Sequence, residues 1–406
     1  MMKSLGLIVE YNPFHNGHLY HLQQAKKQSQ ADVVIAVMSG NFLQRGEPAL
    51  VSKWTRAKMA LEAGVDLVVE LPYAFATQRA DRFAFGAVSI LDKMQCDEVI
   101  FGSESGKIEP FLRTVDFIHS MDHEYNDLIQ KHVQTGVNYP TAASMAFAAL
   151  PGRPEESVDL TQPNNILGFH YVNSVLKIDS KIKMNTVRRT GAGYHEHDHG
   201  PDKIASATGI RKILFSDDGN IGGIQELIPP STFEGLNHHH QVYGRFINWD
   251  SYYQLLKHKL ITSTPEELSE VYECVEGIQH RLQNQITHTD SFIDFLESVK
   301  TKRYTWTRLQ RLCTHLLTNA RKELMAKALH GGPTYIRLLG MSPQGQHYLN
   351  VKKKNFGLPL VSTLSKHRDD FLQMDIRAAK TYILGHPSRF HTTLWKQEYA
   401  TPPIGT

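Results

Sequence analysis

The residues best suited to chemistry lie near the start of the chain, where His15, Gly17 and His18 form an H-x-G-H pattern. A short apolar run ending at Val9 precedes it and a stretch of helical composition follows, so it falls at a strand-to-helix junction. The first amides of a helix attract anions, and a glycine lets the backbone approach a phosphate closely. The two histidines can donate to the oxygens of an α-phosphate, which gain charge when a nucleophile attacks and pyrophosphate leaves. We predict nucleotidyl transfer with His15 and His18 as the catalytic residues; the alternative is two surface histidines in a turn.

A second polar pattern, S-x-T-x-I-R, is formed by Ser206, Thr208 and Arg211. It follows a predicted strand at residues 182–187 and begins a predicted helix. Small hydroxyl residues at a helix start, with an arginine after them, can hold β- and γ-phosphates. They are equally typical of an ordinary N-capped helix. The three residues are therefore candidate phosphate-binding residues.

Strand and helix patterns alternate in the N-terminal part of the chain, and these elements must position the histidines. Strands are predicted at residues 4–9, 32–38, 65–71 and 98–101, and helices at residues 17–28, 52–63 and 80–94. Almost continuously apolar strands separated by helices favour an α/β fold with a parallel sheet covered on both faces. Ligands bind such sheets at the carboxyl ends of the strands. We therefore expect the site in the loops after Val9, Met38, Leu71 and Phe101.

The rest of the chain is predicted to be mainly helical. Residues 108–150 and those after 263 have helical spacing of their apolar residues. Residues 225–246 contain two adjacent prolines and three consecutive histidines, which indicates a loop or boundary region. We divide the chain into a catalytic domain at residues 1–215, a connecting region at 216–262 and a mainly α-helical C-terminal region at 263–406.

The net charge of +3 conceals an asymmetry along the 406 residues. Residues 300–354 hold twelve basic residues and one acidic residue, which gives +11 and leaves about −8 for the remainder. Opposite charge in two parts of one chain favours two tasks, with an anionic partner at the basic end. Within the basic segment, cations alternate with aromatic residues, a pattern that suits RNA phosphates and splayed bases. The candidate RNA-binding residues are Lys302, Arg303, Arg308 and Arg311; the alternative is a helix with one charged face.

Several classes of protein are disfavoured by composition. The three cysteines form no C-x-x-C pair, so neither a disulfide framework nor a structural zinc site is expected. Cys96 and Cys313 are predicted to be core residues. The histidines at 195–199 and 238–240 lack the spacing of a metal site, and no bound metal is predicted. No apolar run is long enough for a membrane span or a signal peptide, so we expect a cytoplasmic protein without a membrane partner.

Longer stretches carry a family resemblance. They are GLIVEYNPFHNGHLYHL, VVIAVMSGNFLQRGEPALVSKWTRAKMALEAGVDLVVELP, FGSESG, PNNILGFHY, SATGIR, RYTWTRLQRL and YIRLLGMSP. Together they resemble the bacterial tRNA(Met) cytidine acetate ligase family, within the HIGH-type nucleotidyltransferase superfamily. The resemblance spans nearly the whole chain and implies a Rossmann-like HIGH-type sheet followed by a mainly α-helical C-terminal region.

The resemblance implies a reaction. Members of that family join acetate to ATP, giving acetyl-adenylate and pyrophosphate, and then acetylate N4 of the wobble cytidine in elongator methionine tRNA without using acetyl-CoA. Mg²⁺ is expected with ATP, held mainly by phosphate oxygens. The ATP-binding residues that the resemblance implies are Leu7, Ile8, Val9, Glu10, Tyr11, Asn12, Pro13, Phe14, His15, Asn16, Gly17, His18, Leu19, Tyr20, Gly102, Asn165, Arg188 and Arg189, with Asn164 as a neighbouring possibility to Asn165.

Some residues near the expected site stay open to two interpretations. The loop at residues 39–42 would either help to place acetate or the phosphates or form a structural turn. Lys53 and Arg56, at the start of a predicted helix, would either face phosphates or lie on a solvated face. Two other functions also remain. The chain could be an acyl-adenylating enzyme with a non-RNA acceptor, similar to citrate lyase ligase, or a tRNA-binding protein without catalysis.

Overall fold

The computed structural model describes residues 2–189, 204–216 and 219–405. Its sheet has eight strands, which are β1 (Ser4–Val9), β2 (Val33–Ser39), β3 (Leu67–Leu71), β4 (Glu98–Ser103), β5 (Lys183–Arg188), β6 (Ile336–Met341), β7 (Leu360–Val361) and β8 (Ile404–Gly405).

Helices surround this sheet. The helices before β5 are α1 (Asn16–Ser29), α2 (Lys53–Glu62), α3 (Tyr73–Ala76), α4 (Ala80–Lys93), α5 (Glu109–Ser120), α6 (Asp122–Gln134), α7 (Tyr139–Ala149) and α8 (Pro163–Lys177). Those after β5 are α9 (Ala207–Leu214), α10 (Pro230–Tyr243), α11 (Tyr253–Thr262), α12 (Pro265–Ser269), α13 (Ile278–Ile286), α14 (Phe292–Val299), α15 (Trp306–Thr318), α16 (Lys322–Gly331), α17 (Pro343–Lys352), α18 (Asp370–Ile383) and α19 (His391–Ala400). Short 3₁₀ helices lie at Ile221–Leu227, Trp249–Ser251, Lys353–Asn355, Leu364–Lys366 and Ser388–Phe390. None of the helices described is long and apolar enough to cross a membrane.

The strand order is β5-β4-β1-β2-β3-β6-β7, with β8 also paired to β6. Strands β1 to β5 are parallel to one another. Strand β6 is antiparallel to β3, and β7 and β8 are parallel to β6. The predicted α/β class and its parallel core are therefore confirmed. The sheet is mixed because three strands from the C-terminal segment extend it.

Both faces of the sheet are buried. Along β2, Val33, Ile35 and Val37 pack into one apolar cluster and Val34, Ala36 and Met38 into another. Every residue of β2 is buried. This explains why the strand is continuously apolar instead of alternating.

The prediction that the chain is helical throughout after residue 263 is wrong, because β6 to β8 lie there. A short apolar run such as IRLLGM cannot be assigned to a strand or a buried helix from periodicity alone. The loop or boundary region predicted at residues 225–246 is helical for most of its length, because α10 begins at Pro230 and ends at Tyr243, followed by Gly244 with a φ of 73°. Proline fits the first turn of a helix and glycine its end. The division at residues 215 and 262 stays a prediction.

A buried ionic cluster attaches the C-terminal helix to the sheet. Glu398 on α19 lies 2.8 Å from the Lys53 ammonium on α2 and 2.8 Å from the Arg337 guanidinium on β6. Glu70 on β3 completes the cluster, at 2.9 Å from Lys53 and 3.1 Å from Arg337. All four side chains are at most 5% exposed. The interpretation of Lys53 as a phosphate-facing or solvated residue is therefore wrong.

Candidate active site

The H-x-G-H residues form the first turn of α1 directly after β1. The Gly17 amide donates to Nδ1 of His15 at 3.0 Å, and the His15 amide donates to Nδ1 of His18 at 3.3 Å. This reciprocal capping box stacks the two rings, with centroids 3.7 Å apart and planes 28° from parallel. Since both Nδ1 atoms accept, each neutral ring carries its proton on Nε2. Each histidine therefore has one Nε2–H donor, and the His18 ring also lies within hydrogen-bonding range of the Pro13 carbonyl.

Burial keeps these rings neutral. Desolvation, with the charges of Arg189 and Arg211, lowers the pKa of His15 to about 3. Desolvation and the neighbouring His15 lower the pKa of His18 well below its usual value. The pKa of His21, one turn further along α1, is lowered to about 4 by burial and Arg189. Near neutral pH the motif therefore offers hydrogen-bond donors and no positive charge of its own.

The loop between β1 and α1 is held from two sides. Tyr11 has a φ of 52°, and the bond between Asn12 and Pro13 is cis. The Leu50 amide donates to the Asn12 side-chain oxygen at 2.7 Å, and the Arg211 guanidinium donates to the Asn12 carbonyl at 2.9 Å. These contacts fix the approach of the chain to His15.

The S-x-T-x-I-R residues lie beside this loop. Ser206 caps α9 by accepting from the Gly209 amide at 3.1 Å, and Ser206 and Thr208 are exposed. Arg211 reaches back to Asn12 and pairs with Glu47 at 2.8 Å. A Cβ on Gly17 would lie 3.3 Å from Ile204, so the segment that leads into α9 touches the start of α1. The structure thus brings the two sequence patterns together.

The ends of β4 and β5 lie on the other side of the histidines. The Arg189 amide donates to the Ser103 carbonyl at 2.9 Å, and a Cβ on Gly102 would lie 3.2 Å from the Arg189 side chain. Arg188 and Arg189 are exposed. The charge of Arg189 acts on His15 and His18, so these residues share one crevice.

Two neighbouring asparagines begin α8 and differ in burial. Asn164 is half-buried, and its side-chain amide donates to Glu104 at 3.0 Å. Asn165 is 5% exposed, and its side-chain amide donates to the Asp159 carbonyl at 3.1 Å. Among the residues that the structure describes, no donor reaches its buried Oδ1. A buried polar atom without a partner is uncommon in proteins. Of the two asparagines, Asn165 therefore keeps an acceptor for a ligand.

Arg56 neither faces the phosphates nor lies on a solvated face, so that interpretation is wrong. Its guanidinium is buried and donates to the carbonyls of Glu10 at 2.7 Å, Ser39 at 3.0 Å, Val51 at 3.3 Å and, at closer range, Gly40. It therefore braces the carboxyl ends of β1 and β2.

A loop at residues 41–48, between β2 and α2, joins the crevice to α15. The Gln310 amide donates to the Arg45 carbonyl at 2.9 Å, and the Thr314 hydroxyl donates to the Gly46 carbonyl at 2.6 Å. Gly46 has a φ of 81°, and a Cβ there would lie 2.6 Å from the Arg311 amide nitrogen. The same loop contacts the crevice through Glu47 and Arg211. Sequence reasoning missed this link, although a glycine between charged residues after a strand is a turn signal.

The candidate RNA-binding residues surround the start of α15 but differ in exposure. Lys302 and Arg303 are exposed, and Arg303 pairs with Glu276 at 2.5 Å. The Arg308 guanidinium lies 4.5 Å from the centre of the Tyr304 ring. Arg311 is 8% exposed and pairs with Glu273 at 3.0 Å. The structure therefore places Arg311 in an internal ion pair beneath the others.

Other conspicuous side chains have structural surroundings. Cys96, Cys274 and Cys313 are buried free thiols. His239 lies on α10, where its ring is parallel to that of Phe246 with centroids 5.8 Å apart. The histidines at 195–199 lie outside the described residues. In the described ranges, no three His, Cys, Asp or Glu side chains are grouped so that they could hold a metal ion.

The whole chain is similar to known proteins. A protein-family model described as HIGH Nucleotidyl Transferase matches residues 2–397. The tRNA(Met) cytidine acetate ligase of Lysinibacillus sphaericus is 47% identical over 404 residues, which is 99% of this chain and 100% of that protein. The enzyme of the same name from Bacillus subtilis is 47% identical over 406 residues, covering 99% and 97% of the two chains.

A solved structure agrees with these relatives. The crystal structure of Thermotoga maritima TmcAL bound with alpha-thio ATP superposes with a TM-score of 0.90 at 34% identity, covering 100% of this chain and 99% of that one. The apo form of the same protein gives a TM-score of 0.91. The sheet, the capped H-x-G-H turn and these matches define a HIGH nucleotidyltransferase. More narrowly, the chain belongs to the tRNA(Met) cytidine acetate ligase family, and it is a ligase.

Proposed function

We propose that this ligase activates acetate with ATP as acetyl-adenylate, releases pyrophosphate, and transfers the acetyl group to N4 of the wobble cytidine of elongator methionine tRNA. The observation that carries the proposal is the pair of stacked neutral histidines at the end of β1. The names of relatives at 47% identity over 99% of the chain support the substrate, and the TmcAL structure with an ATP analogue supports the nucleotide.

In the first step, an acetate oxygen attacks the α-phosphorus and the bond to pyrophosphate breaks. The Nε2–H groups of His15 and His18 donate to the α-phosphate oxygens, whose charge grows in the transition state. The amides at the start of α1 add further positive potential. No side chain has to form a covalent bond, so the protein contributes positioning and charge stabilisation.

The remaining site residues hold the nucleotide. Gly102 and Asn165 lie against the adenosine part, with Asn165 Oδ1 as the acceptor. Arg188 and Arg189 flank the crevice, and Ser206 and Thr208 at the start of α9 bind the outer phosphates. Arg211 fixes the Asn12 carbonyl and also presents its charge to His15. Mg²⁺ enters with ATP on the phosphate oxygens, and acetyl-CoA is not needed because acetate supplies the acetyl group.

In the second step, the tRNA lies on the basic surface at the start of α15. Lys302, Arg303 and Arg308 bind phosphates, while Tyr304 offers a stacking face next to Arg308. Arg311 supports this surface through Glu273 instead of reaching the RNA. The hydrogen bonds of the loop at residues 41–48 with Gln310 and Thr314 of α15 support a link between this surface and the crevice.

Acetylation is tested by incubating the protein with ATP, labelled acetate and total tRNA. Label is expected on a cytidine of methionine tRNA, it should depend on ATP, and AMP and pyrophosphate should accumulate with it. Labelled acetyl-CoA in place of acetate and ATP is the control and should leave the RNA unlabelled. Unlabelled tRNA with a positive-control enzyme active in the same assay would reject the proposed function.

Charge reversal at Arg303 and Arg308 is expected to weaken tRNA binding and to reduce its salt dependence. If each arginine neutralises one phosphate, the slope of log K against log salt should become less steep by about 1–2 in total. The slope is measured by filter binding between about 50 and 200 mM salt. Lys131→Glu, at an exposed position on α6, is the matched control. An equal loss in the control and the double variant would place the RNA elsewhere.

A further inference from the structure

The Glu10 side chain lies at the end of β1, and one of its two carboxylate oxygens already accepts a hydrogen bond. Glu10 follows Val9 directly, and its Oε1 accepts from the Gln44 amide at 2.7 Å. Its carbonyl accepts from Arg56 at 2.7 Å, which fixes the backbone. In the described part of the chain, no hydrogen bond reaches its Oε2. The nucleotide chemistry of the first step uses donors and cations, so it leaves this acceptor unexplained.

A polar wall leads from Glu10 to the helices that carry the RNA surface. The Gln44 amide side chain donates to the Gln78 carbonyl at 2.7 Å, and the Tyr272 hydroxyl lies 3.5 Å from the Gln78 side-chain oxygen. Gln78 is fully buried, and its Nε2 finds no hydrogen-bond partner within the described ranges. Tyr272 in turn is bonded through its amide to the Ala320 carbonyl at 2.8 Å, just beyond α15. Glu10 is thus the inner end of a polar wall that reaches Tyr272 and the C-terminal end of α15.

Glu10 begins the segment that joins β1 to the capped histidines. Arg211 donates to the Asn12 carbonyl of that segment at 2.9 Å, two residues after Glu10, and its charge acts on both Glu10 and His15. The charged groups that act on Glu10 are Glu47, Arg45, Arg211 and the buried Arg56, and the charge of Glu10 also acts on the Tyr171 hydroxyl on α8.

We propose that Glu10 is the general base of the acetyl-transfer step and accepts the proton that the cytosine N4 amine loses. This rests on the proposed function. The N4 lone pair attacks the acetyl carbonyl carbon, a nitrogen–carbon bond forms, and the bond from that carbon to the AMP oxygen breaks with its electron pair leaving on AMP. The N4 proton passes to Oε2 of Glu10 and afterwards to water. The cytosine lone pair is delocalised into the ring, so removal of this proton during attack is needed for a useful rate.

The electrostatics of the crevice suit that role. Burial raises the pKa of Glu10, and the charge of Glu47 raises it further. The hydrogen bond from the Gln44 amide and the charges of Arg45 and Arg211 lower this pKa. A carboxylate with a raised pKa is a stronger base in its ionised form. Because the ionised form is the active one, the transfer rate should rise with pH and reach a plateau above this pKa.

The test separates the two steps in the full-length enzyme. Acetate-dependent ATP–pyrophosphate exchange reports adenylation, and single-turnover acetylation of saturating methionine tRNA reports both steps. For Glu10→Gln, acetylation is expected to fall about 100-fold more than exchange. The rise of the transfer rate with pH should disappear, and Glu10→Asp should recover part of the rate. Glu47→Gln is the matched control, because loss of its contact with Arg211 should reduce both steps by a similar factor.

Three results would overturn the inference. The first is an equal loss of exchange and acetylation in Glu10→Gln. The second is acetylation by Glu10→Gln at the rate of the unmodified enzyme. The third is a transfer rate that still rises with pH in Glu10→Gln. If Glu10→Gln does not fold, the Glu10→Asp ratio of the two steps and its pH profile decide. An unmodified enzyme that makes no acetylated tRNA would reject the proposed function itself, whereas normal acetylation by both Glu10 variants rejects only the role of Glu10.

Discussion

Replacing His18 with alanine is expected to lower acetate-dependent ATP–pyrophosphate exchange by about 10²–10³-fold, because one preorganised donor to the charged transition state is lost. The loss extends beyond one hydrogen bond. The His15 amide donates to His18 Nδ1, and the two rings stack at 3.7 Å, so His15 also loses part of its support. Exchange is measured with labelled pyrophosphate at saturating ATP and acetate.

The His18→Ala variant should still bind tRNA with unchanged affinity, because the RNA surface that we propose is at the start of α15 and not on α1. His123→Ala is the matched control, since that histidine is 86% exposed on α6. Full exchange activity in His18→Ala would remove the histidine from catalysis.

The pH dependence of exchange provides a second check. The pKa of His15 is lowered to about 3, so the ring is neutral at every pH between about 5 and 8. A protonated histidine catalyst would lose activity as pH rises through its usual pKa of about 6.5. We expect no such loss, and a fall in exchange centred near that pH would contradict the neutral-donor role.

Replacing Glu398 with glutamine is expected to lower the free energy of unfolding by about 3–5 kcal/mol, because it leaves buried cations without a counter-charge. Lys53 and Arg337 would then share Glu70 alone. The neighbouring Asp375 cannot replace the lost charge fully, since burial and Glu70 raise its pKa to about 7. Glutamine has nearly the same volume as glutamate, so packing changes little.

The effect is measured as the shift in the denaturant unfolding midpoint. Glu323→Gln is the matched control, because its pair with Lys327 is exposed and its loss should not move the midpoint. The stability of the unmodified protein should also fall in acid. Although burial alone would raise the pKa of Glu398, Lys53 and Arg337 hold it below its usual value. The stabilisation that Glu398 contributes is therefore fully present above the pKa that this residue has in the unfolded chain. It is lost as the pH falls through the lower pKa that Glu398 has in the folded protein. An unchanged midpoint in Glu398→Gln would show that the cluster does not stabilise the fold.

The local patterns were predictable because they depend on neighbours in sequence. The strands β1 to β4 lie close to their predicted positions, and Ser206 begins a helix as expected. The H-x-G-H turn caps itself within four residues, so its placement needed no distant contact. Even so, its capping hydrogen bonds and the neutral state of both rings became clear only with the atoms in place.

Features that depend on long-range burial were not predictable. Arg311 and Arg337 belong to the basic segment by sequence, yet both are buried against carboxylates from distant elements. The run at residues 306–329 has helical spacing, but the chain turns at Asn319, with a φ of 49°, between α15 and α16. The charge of a residue and the periodicity of apolar residues can be read from the sequence, whereas the residue with which each charged side chain pairs depends on the fold.

The sequence alone therefore determined the family resemblance, the parallel core of the sheet and the position of the histidine motif, because short-range spacing and continuous apolar strands carry that information. The tertiary structure decided which basic residues reach the surface, that three C-terminal strands extend the sheet, and that the loop at residues 41–48 joins α15 to the nucleotide crevice. It also placed Glu10 at the inner end of a polar wall. These contacts join residues up to hundreds of positions apart, such as Gln310 with Arg45, and only the folded chain brings them together.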